Sequence, residues 1–257
     1  MIKTKTLLLV LVSTLALSLN TKGHHSSSGS HSTVKSKISK QSSYNSPAAR
    51  QRENQLVNGW DQLKKPSKIQ YSYGDNKQHY KNQNGVETFT AYRDGNAFKP
   101  HSDTFPRSEH RIQNDYRSGD QPQQFSADFK VPKGTNSATI MQIFGGNKSQ
   151  RQQKQKPNAS SFMFQVHNND LTYYKHQILA KDITGKWEHM NVIHDPTTHQ
   201  IHAYLNGDQV WQGRDKGNDV HYFKYGVYGQ GKNKSDMSPQ MQSLFKNVKY
   251  YEKPKIE

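Results

Sequence analysis

The sequence predicts an all-β domain, a sandwich or barrel, behind a leader and a polar linker. Beyond residue 53 the chain runs in short segments that alternate apolar and polar residues, bounded by Gly, Asn, Asp and Pro, as half-buried strands do. Hydrophobic residues make up only 31 %, yet 14 Tyr, 10 Phe and 3 Trp are among them, and each aromatic ring buries a large area. Asn168-Asn169-Asp170 and Asn206-Gly207-Asp208 are hairpin signals placed between such segments.

Taken in order, residues 1–18 read as a secretory signal peptide. Lys3 and Lys5 precede an apolar run from Leu7 to Leu17, and small residues stand at Ala16 and Ser18. The run is too short for a membrane span. Residues 19–52, rich in Ser, Lys and His, hold almost no large apolar side chain and are expected to be a disordered linker. His24, His25 and His31 lie in this stretch with no carboxylate beside them, so a solvated tether is the simpler reading. Pro47 to Lys64 is the one helical pattern, with Leu56, Trp60 and Leu63 at helical spacing. Residues 53–257 form the folded domain. Its strands are expected at 68–73, 86–92, 124–131, 138–144, 161–166, 171–174, 188–194, 200–205, 222–228 and 244–251. From Trp187 to Trp211 the pattern of strand, turn, strand, tight turn and strand is an antiparallel meander, a common unit of jelly-roll sandwiches.

The 257 residues hold 36 Lys and Arg against 20 Asp and Glu, a formal net charge of +16, so an anionic partner is expected. The absence of Cys excludes disulfides, thiolate metal sites and thiol nucleophiles. No dinucleotide-binding or P-loop glycine motif is present, and the leader together with the lack of a reader motif argues against nucleic acid. Only six Glu occur, and no strand carries two carboxylates on one face, which disfavours a glycoside hydrolase.

Three segments could carry chemistry. In Arg107-Ser108-Glu109-His110-Arg111 the strand period puts Arg107, Glu109 and Arg111 on one face, two guanidiniums around one carboxylate. Such a face can grip a substrate carboxylate or form a structural ion pair. In Tyr222-Phe223-Lys224-Tyr225-Gly226-Val227-Tyr228-Gly229-Gln230 one face holds Tyr222, Lys224, Gly226, Tyr228 and Gln230, a floor for a sugar ring or ordinary aromatic packing. In Met141-Gln142-Ile143-Phe144, Gln142 and Phe144 share a face, and Gln142 must find a partner in the protein or in a ligand.

In this order the three segments resemble the alginate-lyase-type polysaccharide lyases of family 7 and their glucuronan-lyase-like relatives, over roughly residues 85 to 251. The resemblance implies a concanavalin-A-like jelly roll with a catalytic groove on one concave sheet. It implies β-elimination on a uronate polymer: Arg107 and Gln142 neutralise the uronate carboxylate, Arg111, Lys224, Glu109, Tyr222 and Gln230 support substrate binding, and Tyr228 is the proton donor. The cations near Tyr228 are expected to lower its pKa, which would also let it act as base.

At one position the chain departs from the pattern, with Phe144 where the family has His. Either Tyr228 makes both proton transfers or another histidine serves, His101 being preferred over His110 and His167. A third outcome is a carbohydrate-binding protein without catalysis. No cofactor or metal is called for; the partner is an anionic polysaccharide, with no nucleic acid, no membrane span, a monomer, and an extracellular location. Substrate choice is expected to lie in loops at 74–84 and 147–160.

Overall fold

The computed structural model describes residues 41–145, 160–217 and 220–255. The expected signal peptide, most of the expected linker, and residues 147–159 of the second expected loop lie outside these. Helix α1 spans Pro47–Val57. Strands follow as β1 (Asp61–Leu63), β2 (Ser67–Tyr71), β3 (Tyr80–Gln83), β4 (Val86–Tyr92), β5 (Arg107–Ile112), β6 (Gln123–Lys130), β7 (Ala138–Phe144) and β8 (Ser160–His167). Beyond them come β9 (Asp170–Tyr173), β10 (Gln177–Ala180), β11 (Trp187–Asp195), β12 (Gln200–Leu205), β13 (Asp208–Arg214), β14 (Tyr222–Gly229) and β15 (Gln240–Glu252).

The strands form two sheets in which every pairing is antiparallel. One has the order β13-β12-β11-β6-β15-β4-β3, with β1 also on β15; the other has the order β10-β9-β8-β7-β14-β5-β2. The expected all-β sandwich with one short helix is therefore what the chain adopts. Alternation along the strands sends Phe89, Phe125, Phe129 and Phe245 of the first sheet and Phe162, Phe164 and Phe223 of the second into a common core, each 1 % exposed or less. Their rings meet edge to face or tilted, as at Phe89 and Phe245 and at Phe125 and Phe223, geometries the ring quadrupole favours. The aromatic content thus supplies the core that the bulk composition understates.

Three boundaries differ from expectation. The helix ends at Val57 because Gly59 takes a positive φ of 70° and the chain turns into β1, so Leu63 sits in a strand paired to Tyr250. The linker gives way to folded structure before residue 52. Ser46 caps α1, its Oγ accepting from Ala49 N at 3.2 Å, Pro47 opens the helix, and Ala49 is buried. Arg52 pairs with Asp208 at 3.1 Å, and Asn206 donates to Ser42 O at 2.9 Å, seating this segment on the β12–β13 turn. Finally, β3 occupies the end of the expected loop at 74–84.

Candidate active site

The outward face of the second sheet carries the residues that the three segments bring forward. β14 is its axis, flanked by β7 and β5: Lys224 lies opposite both Gln142 and Arg111, and Tyr228 opposite Arg107. At Gly226 the β14–β7 register slips, and this residue holds a φ of 136°. A Cβ there would lie 2.3 Å from Ser108 O and 2.7 Å from Glu109 Cα, so only glycine lets β14 press this closely on β5. Phe223, Tyr225 and Val227 point into the core, and the other set points out, as the alternation requires.

Above this face lies a groove of about 990 Å³, whose wall includes Arg107, Gln142, Phe144, Tyr228 and Gln230. The Arg107 guanidinium lies 3.9 Å from the centre of the Tyr228 ring. Arg107 Nη1 also reaches Glu109 Oε2 at 3.3 Å, while its buried Nε has no protein partner. Gln142 is fixed at both ends: its Nε2 donates to Glu109 Oε1 at 2.5 Å, and its Oε1 accepts from Ser160 Oγ at 2.6 Å. An amide nitrogen carries two hydrogens, so one donor remains. Gln230 Nε2 is buried without a partner, a donor available to a ligand.

Glu109 and Lys224 lie beneath the groove and do not line it, a correction to their expected role in binding substrate. Their side chains are 1 % and 2 % exposed, and they pair at 2.5 Å. Burial works to raise the Glu109 carboxyl, but Lys224 and Arg107 outweigh it and hold it below its ordinary value. Burial lowers Lys224 to about 8 despite Glu109. Lys224 and Glu109 balance one another beneath the floor, so the guanidinium of Arg107 in the groove wall carries the net positive charge of the three.

Arg111 and Tyr222 stand beside the groove. Arg111 gives its Nη2 to both oxygens of Asp115 at 2.6 and 2.9 Å and lies 4.0 Å from the Tyr222 ring centre. Tyr222 in turn stacks on Phe144, the centroids 4.9 Å apart. Phe144 thus continues a stacked column into the wall where the resemblance expects a histidine.

None of the three histidine substitutes joins that wall. His101 is exposed on the loop between β4 and β5 and lines a separate, smaller depression with Lys99 and Lys234. His110 faces the core, against Phe89 and Tyr225, and lies 3.3 Å from Glu87. His167 is one step behind, its Nε2 at 2.8 Å from Gln165 Oε1, and Gln165 is what lines the groove.

Burial raises the Tyr228 hydroxyl, and Arg107 offsets this only in part. The lowered value expected from neighbouring cations is corrected: desolvation outweighs them, and the hydroxyl is held protonated.

The lining of the groove also includes groups that the sequence did not single out: His176, Tyr174 and Lys216. Lys216 Nζ donates to Tyr174 Oη and to Ser160 O, both at 2.7 Å, and burial lowers it to about 8. These residues come from the β9–β10 turn and the segment after β13, elements of different sheets, so no spacing in the chain could associate them. Another depression, of about 650 Å³, lies between β2 and β15 and is lined by Lys64, Lys65, Lys246 and Lys249, with none of Arg107, Gln142 or Tyr228.

Comparison with known proteins follows the same lines. The family model described as alginate lyase matches residues 47–252. A citrate-binding protein of Hevea brasiliensis is 37 % identical over 189 residues, 73 % of this chain and 69 % of that one. Among solved structures, the alginate lyase from Corynebacterium sp. superposes with a TM-score of 0.56 at 14 % identity, covering 76 % of this chain and 94 % of its own. An alginate lyase of polysaccharide lyase family 7 gives 0.55 at 15 %, covering 72 % and 93 %. At these identities the structural likeness is one of fold. The family model, spanning most of the domain and all three motif segments, decides the assignment: the chain belongs to the alginate lyase family of polysaccharide lyases.

Proposed function

We propose that this protein cleaves a uronate-containing anionic polysaccharide by β-elimination, outside the cell after export by its leader. The observation that carries the reading is the convergence of Arg107, Gln142 and Tyr228 on one groove, with the Arg107 guanidinium stacked on the Tyr228 ring. The proton to be removed lies next to the uronate carboxylate and is a very weak acid. Arg107 and the remaining N–H of Gln142 bind that carboxylate and stabilise the enolate-like charge that develops. A base takes the proton, the electron pair forms the carbon–carbon double bond, and the bond to the glycosidic oxygen breaks. Tyr228, kept protonated by burial, gives its proton to that oxygen.

For the base, His176 is the histidine in the groove wall, and it takes the place proposed for His101. Its replacement by Gln should lower kcat about 10²-fold or more. Full activity in that variant would leave both proton transfers to Tyr228.

The direct test is incubation with a panel of polyuronates and glycosaminoglycans, following the ultraviolet absorbance of the unsaturated product. Product from at least one uronate polymer is expected, falling as salt screens the basic groove.

A second reading is favoured by Phe144 in the wall and by the relative named as a citrate-binding protein. It is binding of a carboxylate ligand without cleavage, Arg107 being the anchor. Calorimetric binding of citrate or a polyuronate, with no unsaturated product from any polymer, would replace the first reading by this one.

A further inference from the structure

Away from the groove chemistry, three side chains with metal-binding atoms converge where the end of β11 meets the start of β14. His194 belongs to β11, Asp215 follows β13, and His221 precedes β14. One ligand atom from each lies within 4.8 Å of the other two. His194 Nε2 is 2.9 Å, and His221 Nε2 4.0 Å, from the same oxygen, Asp215 Oδ2. All three side chains are 1 % exposed or less.

The surroundings hold these groups in place. Asp215 Oδ1 accepts from Gly217 N at 2.9 Å, and His199 Nδ1 sits astride the carboxylate, 3.0 Å from Oδ1 and 3.1 Å from Oδ2, while Oδ2 also faces the two buried imidazoles. His194 turns its other nitrogen, Nδ1, to Tyr116 Oη at 3.0 Å. Ligating histidines are oriented in this way, with one ring nitrogen on the metal and the other on a fixed partner. Tyr116 is also bridged backbone to backbone with His221, so one short segment braces two of the three groups. Burying two imidazoles and a carboxylate costs desolvation, and an ion bonded to all three would offset that cost.

We propose that His194, Asp215 and His221 bind one divalent ion of the zinc class. Two imidazoles and one carboxylate suit zinc, whereas calcium and magnesium take oxygen ligands. Tetrahedral bonds of about 2.0–2.2 Å set the donor atoms about 3.4 Å apart, with water in the fourth position, so the 2.9 Å contact of His194 with Asp215 must open and the 4.0 Å separation of His221 from Asp215 must close. His199, 24 % exposed, marks the side from which the ion arrives. Its role is positional. It ties β11 of one sheet to β14 of the other and fixes the segment that carries Lys216 to the groove. The backbone of Lys216 already donates to Ser161 Oγ at 3.1 Å, and the same hydroxyl lies 3.4 Å from His221 Nε2.

The test uses the full chain with His24, His25 and His31 replaced by Asn, so that the N-terminal histidines cannot take up metal. After stripping by a chelator, the protein is titrated with Zn²⁺ or Co²⁺ alone. One equivalent is expected to bind, with the intense visible bands of four-coordinate Co²⁺ and a thermal midpoint that rises with free Zn²⁺ and falls back with chelator. Asp215→Asn should weaken binding at least tenfold. Should that variant fail to fold, paramagnetically shifted imidazole N–H resonances of the Co²⁺ form count the histidine ligands without any change to the site, and two are expected. No stoichiometric uptake, uptake unaltered in a folded Asp215→Asn protein, or no shifted imidazole resonance would each overturn the proposal, leaving a network of hydrogen bonds only.

Discussion

Arg107 lies over the face of Tyr228, its guanidinium carbon 3.9 Å from the ring centre, so the residues proposed as carboxylate anchor and proton donor are held as one stacked unit. Removing the hydroxyl while keeping the ring separates the two roles. Tyr228→Phe retains the stack and should fold as the parent does, with turnover of the uronate polymer reduced about 10²–10⁴-fold and KM little changed. Arg107→Lys loses the planar stack and should raise KM as well as lower kcat. Product absorbance measured against substrate concentration separates these outcomes, and turnover surviving in Tyr228→Phe would remove Tyr228 from the role of acid.

Glu109 neutralises buried cations, and its loss should be felt in stability before activity. Glu109→Gln leaves Lys224 uncompensated and should destabilise the domain by about 3–5 kcal/mol. Adding Lys224→Met should recover much of that loss, because the buried charge leaves with its partner. Denaturant midpoints of the two variants check this; equal loss in both would mean that the pair matters only through packing.

Lys216 gives a pH signature. Its folded value of about 8 lies below the ordinary 10.5, so between these values the unfolded chain carries a proton that the folded chain has released. Stability therefore rises with pH across that window and does not change with this group below it. Lys224 is lowered in the same direction, so the contribution of Lys216 is read as a difference between the parent and Lys216→Met. The variant should show the shallower rise in unfolding midpoint from about pH 8 upward, and identical slopes would refute the assignment.

Gly226→Ala asks for a Cβ where Ser108 O stands 2.3 Å away and for a non-glycine residue at φ 136°. The strain and the forced separation of β14 from β5 should cost about 2–5 kcal/mol. Thermal unfolding of the purified variant measures it, and an unchanged midpoint would show that the strand pair can slide without penalty.

Much of this was legible in the chain because period-two alternation is a local property. It assigned Arg107 and Glu109 to one face and His110 to the other, and it separated Lys224 and Tyr228 from Phe223 and Tyr225, as the sandwich has them. Residues 41–52 were misread because Ser- and Arg-rich sequence looks solvated until Asn206 and Asp208, far along the chain, supply its partners. The helix was drawn too long because Leu63 fits a helical stripe as well as a strand.

By itself the sequence determined the all-β class, the family and the face on which the groove lies, since alternation and motif order survive without knowledge of distant contacts. Depth and neighbourhood were decided only by the tertiary structure. It sank Glu109 and Lys224 beneath the floor, set Arg111 on Asp115, left His101 on a neighbouring depression, and brought His176 and Lys216 into the lining of the groove. The same holds for the tyrosine proton. Counting cations along the chain lowers the pKa of Tyr228, whereas burial, a property of the packed sheets alone, raises it.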